Sequence, residues 1–214
     1  MKITDFKPEH LLEYSDCLAS YDWISYGPGT SPSAYLEFAR KDFEESDGER
    51  SLINAVGNAK RAFHKSVEIL CENLGFELIH KRKKLGFDIK LNHIAKCGIL
   101  SARILSKLNK TRNKVEHDYY IPTLVEVEDY LDIVELFLFA MGRVLERFPT
   151  EIEFELTNNN PPNNTPKFPT SFKFQINLKS MDFWLTHDNE TLERKISDPD
   201  YFIWLKSIYG VYFN

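Results

Sequence analysis

Arg112, Asn113, His117 and Tyr119 stand within one short string, Leu108-Asn109-Lys110-Thr111-Arg112-Asn113-Lys114-Val115-Glu116-His117-Asp118-Tyr119-Tyr120. With Thr111 as the cap of a helix beginning at Arg112 or Asn113, residues 112, 113 and 117 fall within about a turn and a half. Asn113 and His117 are then i and i+4 and share a face, and Arg112 is long enough to swing onto its edge. A guanidinium and an imidazole so placed suit cleavage of a phosphodiester without a metal. The imidazole exchanges a proton near neutral pH, so it can activate a ribose 2′-hydroxyl or protonate the leaving 5′-oxygen. The guanidinium stays cationic and can grip two phosphoryl oxygens as charge builds. Asn113 can orient the imidazole or donate to a phosphate oxygen. Because the nucleophile is the 2′-hydroxyl, RNA is cut and DNA is spared. One histidine can hardly be both base and acid, so the chemistry calls for a homodimer in which two copies of the helix share a cleft.

The charge pattern around the string points the same way. The chain carries a formal net charge of −5, with 27 Lys+Arg against 32 Asp+Glu. Between Glu77 and Val115, however, eleven basic residues face only Glu77 and Asp88, a local balance of +9 that leaves −14 for the rest. Such asymmetry concentrates positive potential where phosphates would bind. Lys81, Arg82, Lys83, Lys84, Lys107, Lys110 and Lys114 are the expected RNA-backbone contacts.

Elements that could position these residues are legible on either side. Leu52, Val56, Ala59, Phe63, Ser66, Leu70 and Leu74 recur at steps of four and three, predicting a long helix from Arg50 to Leu74 that stops at Gly75. Leu124, Val127, Leu131, Val134, Leu138, Met141 and Leu145 predict another, bracketed by Pro122 and Pro149. The basic stretch between them is expected to be helical with a break near Gly86. His10 to Trp23 and Ser33 to Phe43 read as shorter helices separated by Gly27-Pro28-Gly29.

The string Arg-Asn-x-x-x-His-x-Tyr at the start of a helix that closes an all-helical bundle resembles the signature of the HEPN superfamily, the higher eukaryote and prokaryote nucleotide-binding domain. The resemblance covers roughly residues 45 to 147. It implies a metal-independent endoribonuclease acting as a dimer, with Arg112 and His117 as the catalytic pair, Asn113 assisting and no cofactor. It also implies a setting in toxin-antitoxin or phage-defence systems, where an antitoxin or other protein partner modifies the tyrosine matched by Tyr119. Other members of that family are noncatalytic nucleotide-binding or scaffolding modules, and that alternative stays open here.

After Pro149 the period changes from 3.6 to 2. Ile152, Phe154 and Leu156 alternate with glutamates, and Phe172, Phe174, Ile176 and Leu178 with polar residues. Further strands are expected at Met181 to Thr186 and Leu192 to Ile196, with a short helix from Pro199 to Tyr209. The Asn- and Pro-rich stretch from Thr157 to Thr170 is expected to be a loop. The predicted architecture is therefore mainly α: an antiparallel helical bundle over residues 1–148, followed by a small antiparallel β appendage over 149–214.

A chain of 214 residues with 43% hydrophobic, 14% aromatic and 28% charged residues lies in the globular range, which excludes wholesale disorder. No apolar run approaches the roughly 18 residues of a spanning helix, so no membrane is expected. The N-terminus lacks a secretory pattern, and a cytoplasmic location is expected. Cys17, Cys71 and Cys97 form no CxxC pair and read as reduced core residues rather than disulfides or metal ligands. Trp23, Trp184 and Trp204 each sit beside apolar residues and read as core. P-loop, dinucleotide, HExxH and nucleophile-elbow motifs are lacking.

Overall fold

A computed structural model describes residues 2–24, 27–45, 48–81, 85–99, 121–157 and 168–213. The chain opens on two 3-10 turns, Ile3–Asp5 and Pro8–Glu13, and enters strand β1 (Tyr14–Asp22). Helices α1 (Pro32–Glu44), α2 (Glu49–Asn73), α3 (Phe76–His80), α4 (Phe87–Lys96) and α5 (Leu124–Glu146) follow. Strands β2 (Phe148–Leu156), β3 (Ser171–Ile176), β4 (Phe183–His187) and β5 (Glu190–Arg194) then lead to α6 (Tyr201–Phe213).

The long helices form where the apolar spacing places them. Helix α2 buries Val56, Ala59, Phe63, Ser66 and Leu70. Its hydroxyl-bearing member is satisfied locally, since Ser66 Oγ donates to the Ala62 carbonyl at 2.9 Å. The helix ends because Gly75 turns left-handed at φ +73, where an added Cβ would meet Ile196 Cδ1 at 2.6 Å. Helix α5 begins at a capping box. Thr123 Oγ1 accepts from the Glu126 N–H at 3.3 Å, and Glu126 Oε2 accepts from the Thr123 N–H at 3.0 Å. Phe63 of α2 meets Phe137 of α5 edge-on at 4.9 Å and Phe87 of α4 at 5.4 Å, so three helices join at one aromatic contact.

The expected bundle with a small β appendage is overturned by the sheet. The five strands among the described residues form one antiparallel sheet in the order β1-β2-β3-β4-β5, and it is a major element of a mixed α and β fold. The segment His10 to Trp23, expected as a helix, supplies the 3-10 turn and then the edge strand. β1 pairs along its length with β2, from Tyr14 opposite Leu156 to Asp22 opposite Phe148. The helical reading failed because Leu11, Tyr14, Leu18 and Tyr21 happen to be spaced as on a helix. Only the first two are buried; Leu18 is 62% exposed and Tyr21 45%. Two register shifts, at Asp16/Leu18 and Ser20/Tyr21, break the alternation that would have marked a strand.

One face of the sheet is apolar, with Ile152, Phe154, Phe172, Phe174, Ile176, Phe183, Leu185 and Leu192 buried. Helix α6 supplies much of the packing there. Tyr209 meets Phe148 at 5.6 Å and Phe174 at 6.0 Å, and Tyr201 meets Phe183 at 5.3 Å. Buried residues of the helices and of the sheet form one continuous core.

Two smaller expectations also change. Cys71 and Cys97 are buried, but Cys17 is exposed on β1, where its Sγ donates to the Glu153 carbonyl at 3.4 Å. Trp204 is core, whereas Trp23 is 68% exposed just beyond the end of the edge strand. Among the described residues no helix is long and apolar enough to cross a membrane.

Candidate functional site

Arg112, Asn113, His117 and Tyr119 lie outside the described residues, as do Arg82, Lys83, Lys84, Lys107, Lys110 and Lys114. Lys81 is described. It ends α3 in the left-handed region at φ 48, its N–H donating to the Glu77 carbonyl at 3.0 Å, with its side chain in solvent.

The described chain fixes both points from which the motif-bearing stretch departs. On one side α4 ends at Cys97, and Gly98 follows at φ +81 with its Cα pressed against α6; a Cβ there would lie 2.7 Å from Lys206 Cα. Ile99 beyond it is buried. On the other side Pro122 is buried and Thr123 caps α5. The glycine-to-backbone contact at Gly98 and the capping box at Thr123 each fix the local backbone geometry there.

His93, His64 and His10 make packing and backbone contacts. His93 is 4% exposed and its Nε2–H donates to the Leu74 carbonyl at 2.9 Å, since a carbonyl can only accept. Phe76 and Phe202 meet its ring edge-on at 5.2 and 5.6 Å. Burial pushes its pKa below that of a free imidazole, the Leu74 bond opposes this, and His80 and Lys96 add to the depression. His64 stacks on Phe87 at 4.0 Å. His10 Nδ1 accepts from the Lys7 N–H at 3.1 Å.

All three cysteine thiols are held above the ordinary thiol range, the buried Cys71 and Cys97 chiefly by burial. Burial pushes the Cys71 thiol up to about 12 and raises Cys97 further, and burial with Glu155 and Glu153 nearby raises Cys17. Among the described residues no group of three or more His, Cys, Asp or Glu side chains stands close enough to hold a metal ion.

Among the described residues, two hollows flank α5. The first, about 400 Å³, is bounded by Pro32, Leu36 and Arg40 of α1 and by Glu135, Leu138 and Phe139 of α5. Arg40 closes one side through ion pairs to Glu135 and, at 3.6 Å, to Asp132. The second, about 880 Å³, lies between edge strand β1, α5 and the end of α6, with Arg143, Arg147 and Tyr212 among its walls. There the Tyr212 hydroxyl donates to that of Tyr21 at 3.0 Å, and burial and this bond together hold its pKa well above the usual phenol value. Phe139 borders both hollows. Sequence reasoning passed over this ridge because Leu136 to Met141 reads as a single apolar run, and only packing tells which of its members face outward.

No protein-family model, curated protein or solved structure matches the chain.

Proposed function

We propose that this protein is a metal-independent endoribonuclease of the HEPN type that acts as a homodimer. The observation that carries the reading is the Arg112-Asn113-x-x-x-His117-x-Tyr119 string within the +9 stretch between Glu77 and Val115. On either side of the string the described chain is anchored, at Gly98 by its close approach to Lys206 and at Thr123 by the capping box of α5.

In the proposed reaction, His117 of one protomer takes the proton from a ribose 2′-hydroxyl. The 2′-oxygen attacks the adjacent phosphorus, the bond to the 5′-oxygen breaks, and the second copy of His117 returns a proton to that oxygen. Arg112 neutralises the pentacoordinate phosphorane and Asn113 orients the imidazole. The products are a 2′,3′-cyclic phosphate and a 5′-hydroxyl. Lys81, Arg82, Lys83, Lys84, Lys107, Lys110 and Lys114 hold the flanking phosphates.

Incubation of the purified protein with tRNA and mRNA in EDTA tests this reading. Cleavage yielding cyclic phosphate ends and abolished by His117→Ala is the expected result. RNA binding without cleavage would overturn the enzymatic reading in favour of a binding module.

A further inference from the structure

Strand β1 is the outermost strand of the sheet. It pairs with β2 on one side, and among the described residues no strand pairs with its other edge. The backbone N–H and C=O groups on that edge are left without a ladder partner. The hollow of about 880 Å³ runs along this edge. Leu18 and Ala19 are consecutive and so point to opposite faces of the sheet, yet both border the hollow. A recess that meets both faces of a strand meets its edge.

The side chains around the recess are unusually apolar for a surface. Leu18 is 62% exposed and Tyr21 45%, and across from the strand Phe139 of α5 is 71% exposed and Phe213 of α6 42%. Scattered singly such residues are ordinary; gathered on one recess they mark a place where something docks. Arg143 and Arg147 border the same hollow, as do Asp16 and Glu146, and among the described residues none of the four has an ion-pair partner.

We propose that the outer edge of β1 is a docking site for an extended peptide of a partner protein, which adds a short strand to the sheet, lays apolar side chains into the hollow and sets an acidic one against Arg143.

Only an extended backbone presents N–H and C=O groups at the spacing of a strand edge, so the edge selects a peptide. Alternate side chains of that peptide fall on the hollow side, where Leu18, Phe139 and Phe213 receive the apolar ones. A carboxylate among them takes two parallel N–H donors from the Arg143 guanidinium, the strongest pairing the wall offers. The register shifts at Asp16/Leu18 and Ser20/Tyr21 bound the stretch Leu18 to Ser20, where pairing with β2 is regular, and so limit the added strand to a few residues. That limit suits a short peptide and works against edge-to-edge pairing of long strands. The inference goes beyond the ribonuclease reading and does not rest on it.

The probe is a capped, fluorescein-labelled peptide, Thr-Leu-Thr-Glu-Thr-Leu-Thr, titrated with the full chain and read by anisotropy, with circular dichroism confirming that each variant folds. Micromolar binding is expected. N-methylation of one alternate set of its backbone nitrogens should abolish binding and of the other set leave it, because only one edge of the peptide faces β1. Replacing the glutamate by lysine should weaken binding about tenfold, and Arg143→Glu should reverse that preference. Leu18→Asp with Phe139→Asp should abolish binding. No binding, equal loss from both methylated sets, or a lysine peptide bound as well as the glutamate one would each overturn the proposal. An oligouridylate that displaces the peptide would assign the recess to RNA, and self-association lost with Leu18→Asp would assign it to a second copy; either result overturns the peptide reading.

Discussion

Gly98 lies so close to Lys206 that an added Cβ would stand 2.7 Å from the lysine Cα, backbone against backbone, at a φ of +81. No side-chain rotation relieves such a contact. Gly98 therefore locks the end of α4 to α6, and through α6 to the sheet.

Gly98→Ala is expected to destabilise the protein on two counts. A left-handed backbone costs a residue with a Cβ about 1–2 kcal/mol, and displacing α6 costs ~1–3 kcal/mol more. Denaturant titration checks this against Gly57→Ala, where an added Cβ meets nothing within 4 Å on α2. Equal stability of the two variants would refute the lock.

His93 makes stability depend on acidity in a definite direction. Its folded pKa is depressed, chiefly by burial, so the unfolded chain takes up the proton first. The contribution is complete above the free imidazole value of about 6.5 and is lost as pH falls below it toward the folded pKa. His93→Gln can keep an N–H for the Leu74 carbonyl but does not titrate. Thermal melts of this variant should show a shallower loss of stability in that window than the wild type; identical slopes would exclude His93 as the source.

The sheet predicts what happens when its N-terminal strand is removed. Tyr14 is 3% exposed and its hydroxyl donates to the Pro169 carbonyl at 2.7 Å, so β1 is bonded both to β2 and to the chain leading into β3. Deleting residues 1–23 should uncover β2 and the buried partners of Ile3, Phe6 and Leu11, giving an aggregating or unfolded protein. Tyr14→Phe, which loses only the hydrogen bond, should cost about 1 kcal/mol. A truncated chain that melts like the full one would show that β1 is dispensable.

The ribonuclease reading predicts that Arg112→Lys is not a conservative change. A lysine keeps the charge but cannot grip two phosphoryl oxygens at once. Cleavage should fall ~100-fold or more, while RNA affinity measured by anisotropy changes little. A loss of affinity matching the loss of cleavage would assign Arg112 to general phosphate binding.

Helices α2 and α5 were legible in the amino-acid order because each buries one stripe along its whole length, and a stripe of period 3.6 is a local property. Their ends were legible for the same reason, Gly75 being left-handed and Thr123 lying just after Pro122. Strands β2 and β3 showed themselves by period-two alternation, since one face of the sheet is buried and the other is polar, and β4 and β5 lie close to where strands were expected. The Arg112 to Tyr119 string was likewise visible as residue types at a spacing.

Three things waited on tertiary structure. β1 is a strand because it pairs with β2 some 130 residues later in the chain, a non-local contact that no local period encodes, and its register shifts hide the little alternation it has. Cys17 and Trp23 are exposed because they fall on and just beyond that edge strand, although their residue types favour the interior. The outward direction of Leu136 and Phe139 depends on which side of α5 meets α1 and α2. A sequence determines which residues must be buried together over a turn or a pleat; which apolar residues find no cover is settled only when distant elements pack.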